Sequence, residues 1–318
     1  MLRIMAFVLF GLSAIATAQA ASCTVGIGDI DFGSVDSLYA APVDSAASVH
    51  VDCDQVSAGA SEVVVCIHFG AGSGGSEGGQ RKMVSGNRTL GFQLYQDANR
   101  SVPWGGDDAR GIGPPRRVVV PVSGETASTS IDVYARVFGS QSTAAVGSYA
   151  SSFAGTDASF GFAEGALDCA APGGAGSGQT AFAVAATVSA NCMVETTDID
   201  FGQHGIIDRD IDAEGAIDVT CTPDAGYFVT LGPGLGGGND PEQRILRSGS
   251  DVATYGLYLD AARSQPWGSS LETQLPGTGA GTRQTLPVYG RVPRQAVRPG
   301  SYSDTVAVTI TYGAAPGV

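Results

Sequence analysis

A chain of 318 residues with a formal net charge of −14, 15% charged residues and 46 glycines is long enough for one large or two ordinary domains. Its acidity excludes strong binding to nucleic acid or to an anionic membrane surface, because both present phosphate that such a chain repels. Frequent Thr, Ser and Val, with no long stretch at 3.6-residue periodicity, predict strands and turns with few helices.

Residues 1–20 carry an early cation at Arg3, an apolar run from Ala6 to Ala16 and the small-residue ending Ala18-Gln19-Ala20. That is the pattern of a secretory signal peptide. The run is too short to stay in a bilayer, and no other stretch approaches the roughly 18 to 20 apolar residues of a spanning helix. The mature chain is therefore expected to be exported and soluble. Its six cysteines, an even number in an oxidising compartment, are expected to pair.

From Cys23 onward the sequence runs through one set of blocks twice. Asp29-Ile30-Asp31-Phe32-Gly33 returns as Asp198-Ile199-Asp200-Phe201-Gly202. Val51-Asp52-Cys53 returns as Val219-Thr220-Cys221. The segment from Tyr95 through Asp97-Ala98-Asn99-Arg100-Ser101-Val102-Pro103-Trp104-Gly105 is answered by Tyr258 and Asp260-Ala261-Ala262-Arg263-Ser264-Gln265-Pro266-Trp267-Gly268. Val133-Tyr134-Ala135-Arg136-Val137 and Gly147-Ser148-Tyr149 are answered by Val288-Tyr289-Gly290-Arg291-Val292 and Gly300-Ser301-Tyr302. Matching blocks in one order with drifting offsets mean two copies of one domain carrying loop insertions. The boundaries fall at 21–170 and 191–318, with residues 171–190 between.

Each copy reads as all-β. Val306, Val308, Ile310 and Tyr312 alternate with Thr305, Ala307, Thr309 and Thr311. In the first copy Val63, Val65, Ile67 and Phe69 share a face and leave Cys66 and His68 on the other. Such strands between Gly- and Pro-containing turns predict a β-sandwich. The internal symmetry pairs Cys23 with Cys53 and Cys192 with Cys221, which leaves Cys66 and Cys169 for a third bridge within the first copy.

Four features imitate chemistry. Gly74-Gly75-Ser76-Glu77-Gly78 fits the serine-hydrolase pattern but has no helix to follow it. Asp208-Arg209-Asp210-Ile211-Asp212 begins like a calcium loop, yet Ala213 stands at its sixth position and Val219 at its twelfth. His50, His68 and His204 lack ligand spacing. Trp104 and Trp267 occur in both copies in one Pro-Trp-Gly setting, which assigns them to the fold rather than to sugar stacking. No catalytic residue, metal or cofactor is expected.

The early cysteine with its later Phe-Gly, the Asp-Ala-x-Arg-Ser-x-Pro-Trp-Gly segment, the Val-Tyr-x-Arg-Val strand and the ending from Gly300 to Tyr312 resemble the spore coat protein U domain. This is the pilin and adhesin module of Csu-type archaic chaperone–usher pili. The resemblance covers nearly all of the mature chain, twice, and is closer in the C-terminal copy. It implies two tandem immunoglobulin-like, pilin-type β-sandwich domains, the C-terminal one incomplete and needing a strand donated by a neighbour. Related pilins carry the donor segment ahead of their first cysteine, where signal cleavage here leaves Ala21 and Ser22. That implies a fimbrial tip adhesin mediating surface attachment and biofilm formation, non-enzymatic and exported through the periplasm to the cell surface. Its partners would be a periplasmic pilus chaperone, an outer-membrane usher, the next pilin through its donor strand, and a host, glycan or abiotic surface. A structural coat or biofilm-matrix protein of the same family is the alternative.

After the flexible run from Ala171 to Gly178, residues 181–190 place Phe182, Val184, Ala186 and Val188 on one side. This is the donor strand expected to complete the first domain in cis. Gly313 to Val318 offer no such strand to the second. The loops that only the first copy has are 70–80, 105–117 and 153–167, and Ile112, Phe160 and Phe162 in them are the candidate adhesive side chains.

Overall fold

Alternation decides which side of each strand turns inward. In the computed structural model, which describes residues 20–106, 111–170 and 176–312, that rule builds two β-sandwiches in tandem. The leader expected over 1–20 lies outside the described residues except for Ala20, and so do 107–110, 171–175 and 313–318.

The first domain runs through β1 (Ser22–Ile27), β2 (Ile30–Val35), β3 (Val43–Asp54), β4 (Glu62–Phe69), β5 (Ser76–Glu77), β6 (Gln80–Ser85) and β7 (Arg88–Tyr95). It continues with β8 (Arg116–Ser123), β9 (Thr126–Val137), β10 (Gly147–Phe153), β11 (Ala158–Glu164), β12 (Gly176–Gln179) and β13 (Phe182–Val188). One layer has the order β12-β11-β4-β8 and the other β2-β13-β10-β6-β7-β9-β3-β1, and the layers join where β8 turns into β9. Val63, Val65, Ile67 and Phe69 of β4 enter the core as alternation requires. Cys66, on the outer face, is buried as well and bridges to Cys169.

The second domain runs through β14 (Cys192–Thr197), β15 (Ile211–Cys221), β16 (Gly226–Leu231), β17 (Arg244–Ser248), β18 (Asp251–Tyr258), β19 (Leu275–Thr278), β20 (Gln284–Val292) and β21 (Val308–Tyr312). A layer β14-β15-β20-β18-β17 faces β19-β16-β21. Cys23–Cys53 and Cys192–Cys221 close equivalent cross-strand pairs, with Cα atoms 4.0 and 4.1 Å apart. The strand expected from Val306 begins only at Val308, because residues 304–307 have no ladder partner.

The repeated blocks make repeated contacts. Asp97 accepts the backbone N–H groups of Ser101 and Val102, and Asp260 accepts those of Ser264 and Gln265. Arg136 grips Asp44 through Nε and Nη2 at 2.7 and 2.9 Å, and Arg291 grips Asp212 at the same distances. The acid of the calcium-like stretch is thus an ion-pair partner. The Arg291 hydrogen bond holds the Asp212 carboxyl below its ordinary value, with Arg263 adding to the effect against partial desolvation. A depressed folded-state pKa stabilises the fold above the unfolded-state value and ceases to do so as pH falls through the folded one. Asp212→Asn is therefore expected to cost about 0.5–1 kcal/mol in urea melts at pH 7, discounted for solvent exposure, and progressively less below about pH 4.

Three residues, 189–191, separate β13 from β14. The Asn191 side-chain amide donates to Asp36 at 2.6 Å, Arg88 pairs with Asp224 at 3.1 Å, and the Val146 N–H donates to the Pro223 carbonyl. These contacts tie the two domains at their junction.

Candidate strand-accepting groove

The segment after the glycine-rich run pairs wholly with the first domain. β13 lies between β10, antiparallel, and β2, parallel, with Tyr149 opposite Ala186, Ser151 opposite Val184 and Phe153 opposite Phe182. Phe182, Val184, Ala186 and Val188 are buried in the core. The Phe182 ring stacks on Phe153 with centroids 4.6 Å apart and lies 5.1 Å from Phe69.

The stretch before it is a strand too, where the composition had read as flexible. β12 pairs with β11, setting Gly178 opposite Phe160 and Gly176 opposite Phe162. A Cβ added at either glycine would come within 2.3 Å of the facing ring. Glycine is the residue whose backbone can lie against an aromatic face this closely.

This placement corrects the adhesive reading of Phe160 and Phe162. Both are core side chains, because β11 is an interior strand between β4 and β12 rather than an inserted loop. Ile112 is buried as well, at 1% exposure. Its loop folds back on the tryptophan turn, where the Gly105 N–H donates to the Pro114 carbonyl. Residues 107–110 of that loop lie outside the described residues. The loop from Gly70 is pinned from within by Arg81, whose Nε donates to the Gly70 carbonyl at 2.7 Å.

Among the described residues, no strand fills the same groove of the second domain. The Ile30 and Phe32 side chains of β2 are buried beside β13, whereas Ile199 and Phe201, from the identical Asp-Ile-Asp-Phe-Gly block, are half-buried and belong to no strand. The turn itself is unchanged: Gly33 and Gly202 both have positive φ, and each donates to the aspartate two residues earlier at 2.8 Å. Tyr149, buried under β13, answers to a half-buried Tyr302. Between these rims lies a cavity of about 1040 Å³ floored by Leu231, Tyr255, Leu257 and Val288 and flanked by Val306 and Val308. Among the described residues, the apolar cluster of this domain has as many half-covered members as buried ones, while that of the first domain is nearly all buried. Across this groove the two copies differ by the strand β13, which only the first has in place among the described residues.

Both tryptophans are wholly buried, and each indole N–H donates at 3.0 Å to a carbonyl across the sandwich, Trp104 to Ile67 and Trp267 to Val229. Beside each sits an arginine that sequence reasoning missed. Arg81 donates to the carbonyls of Phe69, Gly70 and Trp104 and to the Gln93 side chain. Arg244 donates to those of Leu231, Gly232, Pro241 and Trp267. The signal was present as a further repeated block, Gln80-Arg81-x-x-x-Ser85-Gly86 and Gln243-Arg244-x-x-x-Ser248-Gly249.

Ser76 of the hydrolase-like pattern lies in a two-residue strand paired with β6, with no helix behind it. No group of three His, Cys, Asp or Glu side chains with metal-binding geometry occurs among the described residues.

Protein U of Myxococcus xanthus is 39% identical over 110 residues, or 32% of this chain, and the chain spans 62% of that protein's length. Among solved structures the chain is similar to a chaperone–tip adhesion subunit pre-assembly complex from the archaic chaperone–usher Csu pili of Acinetobacter baumannii. The identity is 14% and the TM-score 0.49, over 91% of this chain and 99% of that one. It is also similar to a tip adhesin from Pseudomonas aeruginosa, with 13% identity and a TM-score of 0.37 over 93% and 94%. The description of the Spore Coat Protein U domain matches residues 9–156 and again 179–309. With most of its length matched in two successive stretches, the chain belongs to the spore coat protein U domain family.

Proposed function

We propose that this protein is a fimbrial tip adhesin assembled by donor-strand complementation, exported through the periplasm to the cell surface and promoting surface attachment and biofilm formation. The observation that carries the reading is the open groove of the second domain beside its filled counterpart in the first. An unpaired sheet edge over uncovered apolar side chains binds an added strand through backbone hydrogen bonds and alternate side chains. A periplasmic pilus chaperone holds the groove first, and the next subunit's strand replaces it at the outer-membrane usher. β13 is the first domain's donor strand in cis. The segment ahead of β14 is thereby used within the chain, which fits a subunit at the fibre end. The first domain then meets the host, glycan or abiotic surface, and no step requires a cofactor or a catalytic group.

Co-purification of the mature chain from the periplasm with and without a candidate chaperone tests this. A stable complex that depends on the second domain, and a melting temperature raised when a neighbouring pilin's donor peptide is added, are the expected results. A chain fully stable alone and indifferent to both would favour a structural coat or biofilm-matrix protein, the reading to which the name of the Spore Coat Protein U domain points.

A further inference from the structure

The floors of the two grooves differ in polarity beneath one position of the strand. In the first domain Ser151 sits opposite Val184, is fully buried, and accepts the Gly74 N–H with its hydroxyl at 3.3 Å. The equivalent of Ser151 is Asp304, since Ser303 bridges Arg247 as Ala150 pairs with Val84, and Gly236 takes the place of Gly74. Opposite β6 the first domain has Phe92, and the second has Tyr255 opposite β17. A serine and a phenylalanine under the filled strand are thus replaced by an aspartate and a tyrosine under the open groove.

Asp304 is held firmly. Its Oδ1 accepts the N–H groups of Gly236 and Thr305, each at 2.8 Å, and its Oδ2 accepts the Tyr255 hydroxyl at 2.7 Å. A carboxylate offers about four lone-pair sites, so these three bonds leave one acceptor position for a further donor. Asp304 is half-buried and lines the open groove. A strand bound in the register of β13 sets one of its inward side chains directly opposite it. A valine there would cover a carboxylate without offering a hydrogen bond, which is costly.

We infer that Asp304 determines which strand this groove accepts: the incoming segment carries a hydroxyl, threonine or serine, where the chain's own strand carries Val184. This rests on the donor-strand reading above and goes beyond it by naming the chemistry of the partner at one position. Threonine has nearly the shape of valine, so the hydroxyl is gained with no change in packing volume. The groove thereby discriminates against copies of this same chain.

The test uses two synthetic peptides, one of residues 176–190 and one identical except for Val184→Thr, titrated into the full mature chain. Hydrogen exchange at residues 300–306 reports occupancy of the second groove alone. The threonine peptide is expected to bind about tenfold more tightly than the valine peptide. In Asp304→Ser, which restores the residue of the first domain, the preference is expected to vanish or reverse, and Asp304→Asn serves if that variant fails to fold. Equal binding of both peptides to the unaltered chain would overturn the role of Asp304 while leaving the groove a strand acceptor. If neither peptide protects residues 300–306 in any variant while a neighbouring pilin's donor peptide does, this inference falls and the donor-strand reading stands; if that peptide fails as well, both fall.

Discussion

Excision of residues 180–190 is expected to unfold the first domain and to spare the second. The deleted stretch removes Phe182, Val184, Ala186 and Val188 from the core and strips β10 and β2 of their shared partner. Burial of a large apolar side chain contributes about 1.5–3 kcal/mol, so the four together contribute roughly 6 kcal/mol before the lost backbone pairing is counted. Domains of this size have total stabilities of about 5–15 kcal/mol. Peptide-resolved hydrogen exchange should show β10 and β2 losing protection while β15 and β20 keep theirs. A peptide of residues 176–190 added in trans should restore it. A first domain equally stable without the segment would refute the cis role of β13. A milder form of the experiment, Val184→Asp, is expected to cost about 4 kcal/mol through burial of an unpaired charge.

The second large effect is expected from Arg81→Met and Arg244→Met. Each arginine is wholly buried and binds backbone carbonyls of strands and turns that converge on the domain's tryptophan. Methionine fills much of the volume but leaves those carbonyls without donors, at about 1–3 kcal/mol for each buried group left unpaired. A total near 4 kcal/mol per domain is expected in chemical denaturation. Because each domain holds one tryptophan, Arg81→Met should alter the environment of Trp104 and leave that of Trp267 unchanged. Lysine is expected to rescue neither variant, since an ammonium cannot reproduce the planar fork of the guanidinium.

What the sequence revealed, it revealed through repetition and alternation. The paired blocks located both domains, and their symmetry gave the disulfides. Alternation at Phe182, Val184, Ala186 and Val188 marked a strand in a place where composition suggested a linker. Residue character is a poor guide to position at the buried arginines and at β11 and β12. Arginine is seldom wholly buried, so residue type alone does not point to Arg81 and Arg244 although their block is repeated. Phe160 and Phe162 read as part of a loop peculiar to the first copy, but β11 pairs with β4 as β21 pairs with β16, so Phe160 answers to Ile310 with no shared residue type to reveal it. The glycines at 176 and 178 that cover Phe160 and Phe162 looked like slack in the chain, when they are what allows a backbone to lie against two rings.

The short connection between β13 and β14 has a mechanical meaning. Pull transmitted through the chain itself arrives, after three residues, at the end of β13 and acts along that strand. Its hydrogen bonds to the antiparallel neighbour β10 lie across the direction of pull, so they are loaded together in shear rather than opened one after another. Survival under tension is governed by the barrier to unfolding rather than by equilibrium stability. The strand seated between β10 and β2 is thus also the cable by which the first domain would be towed.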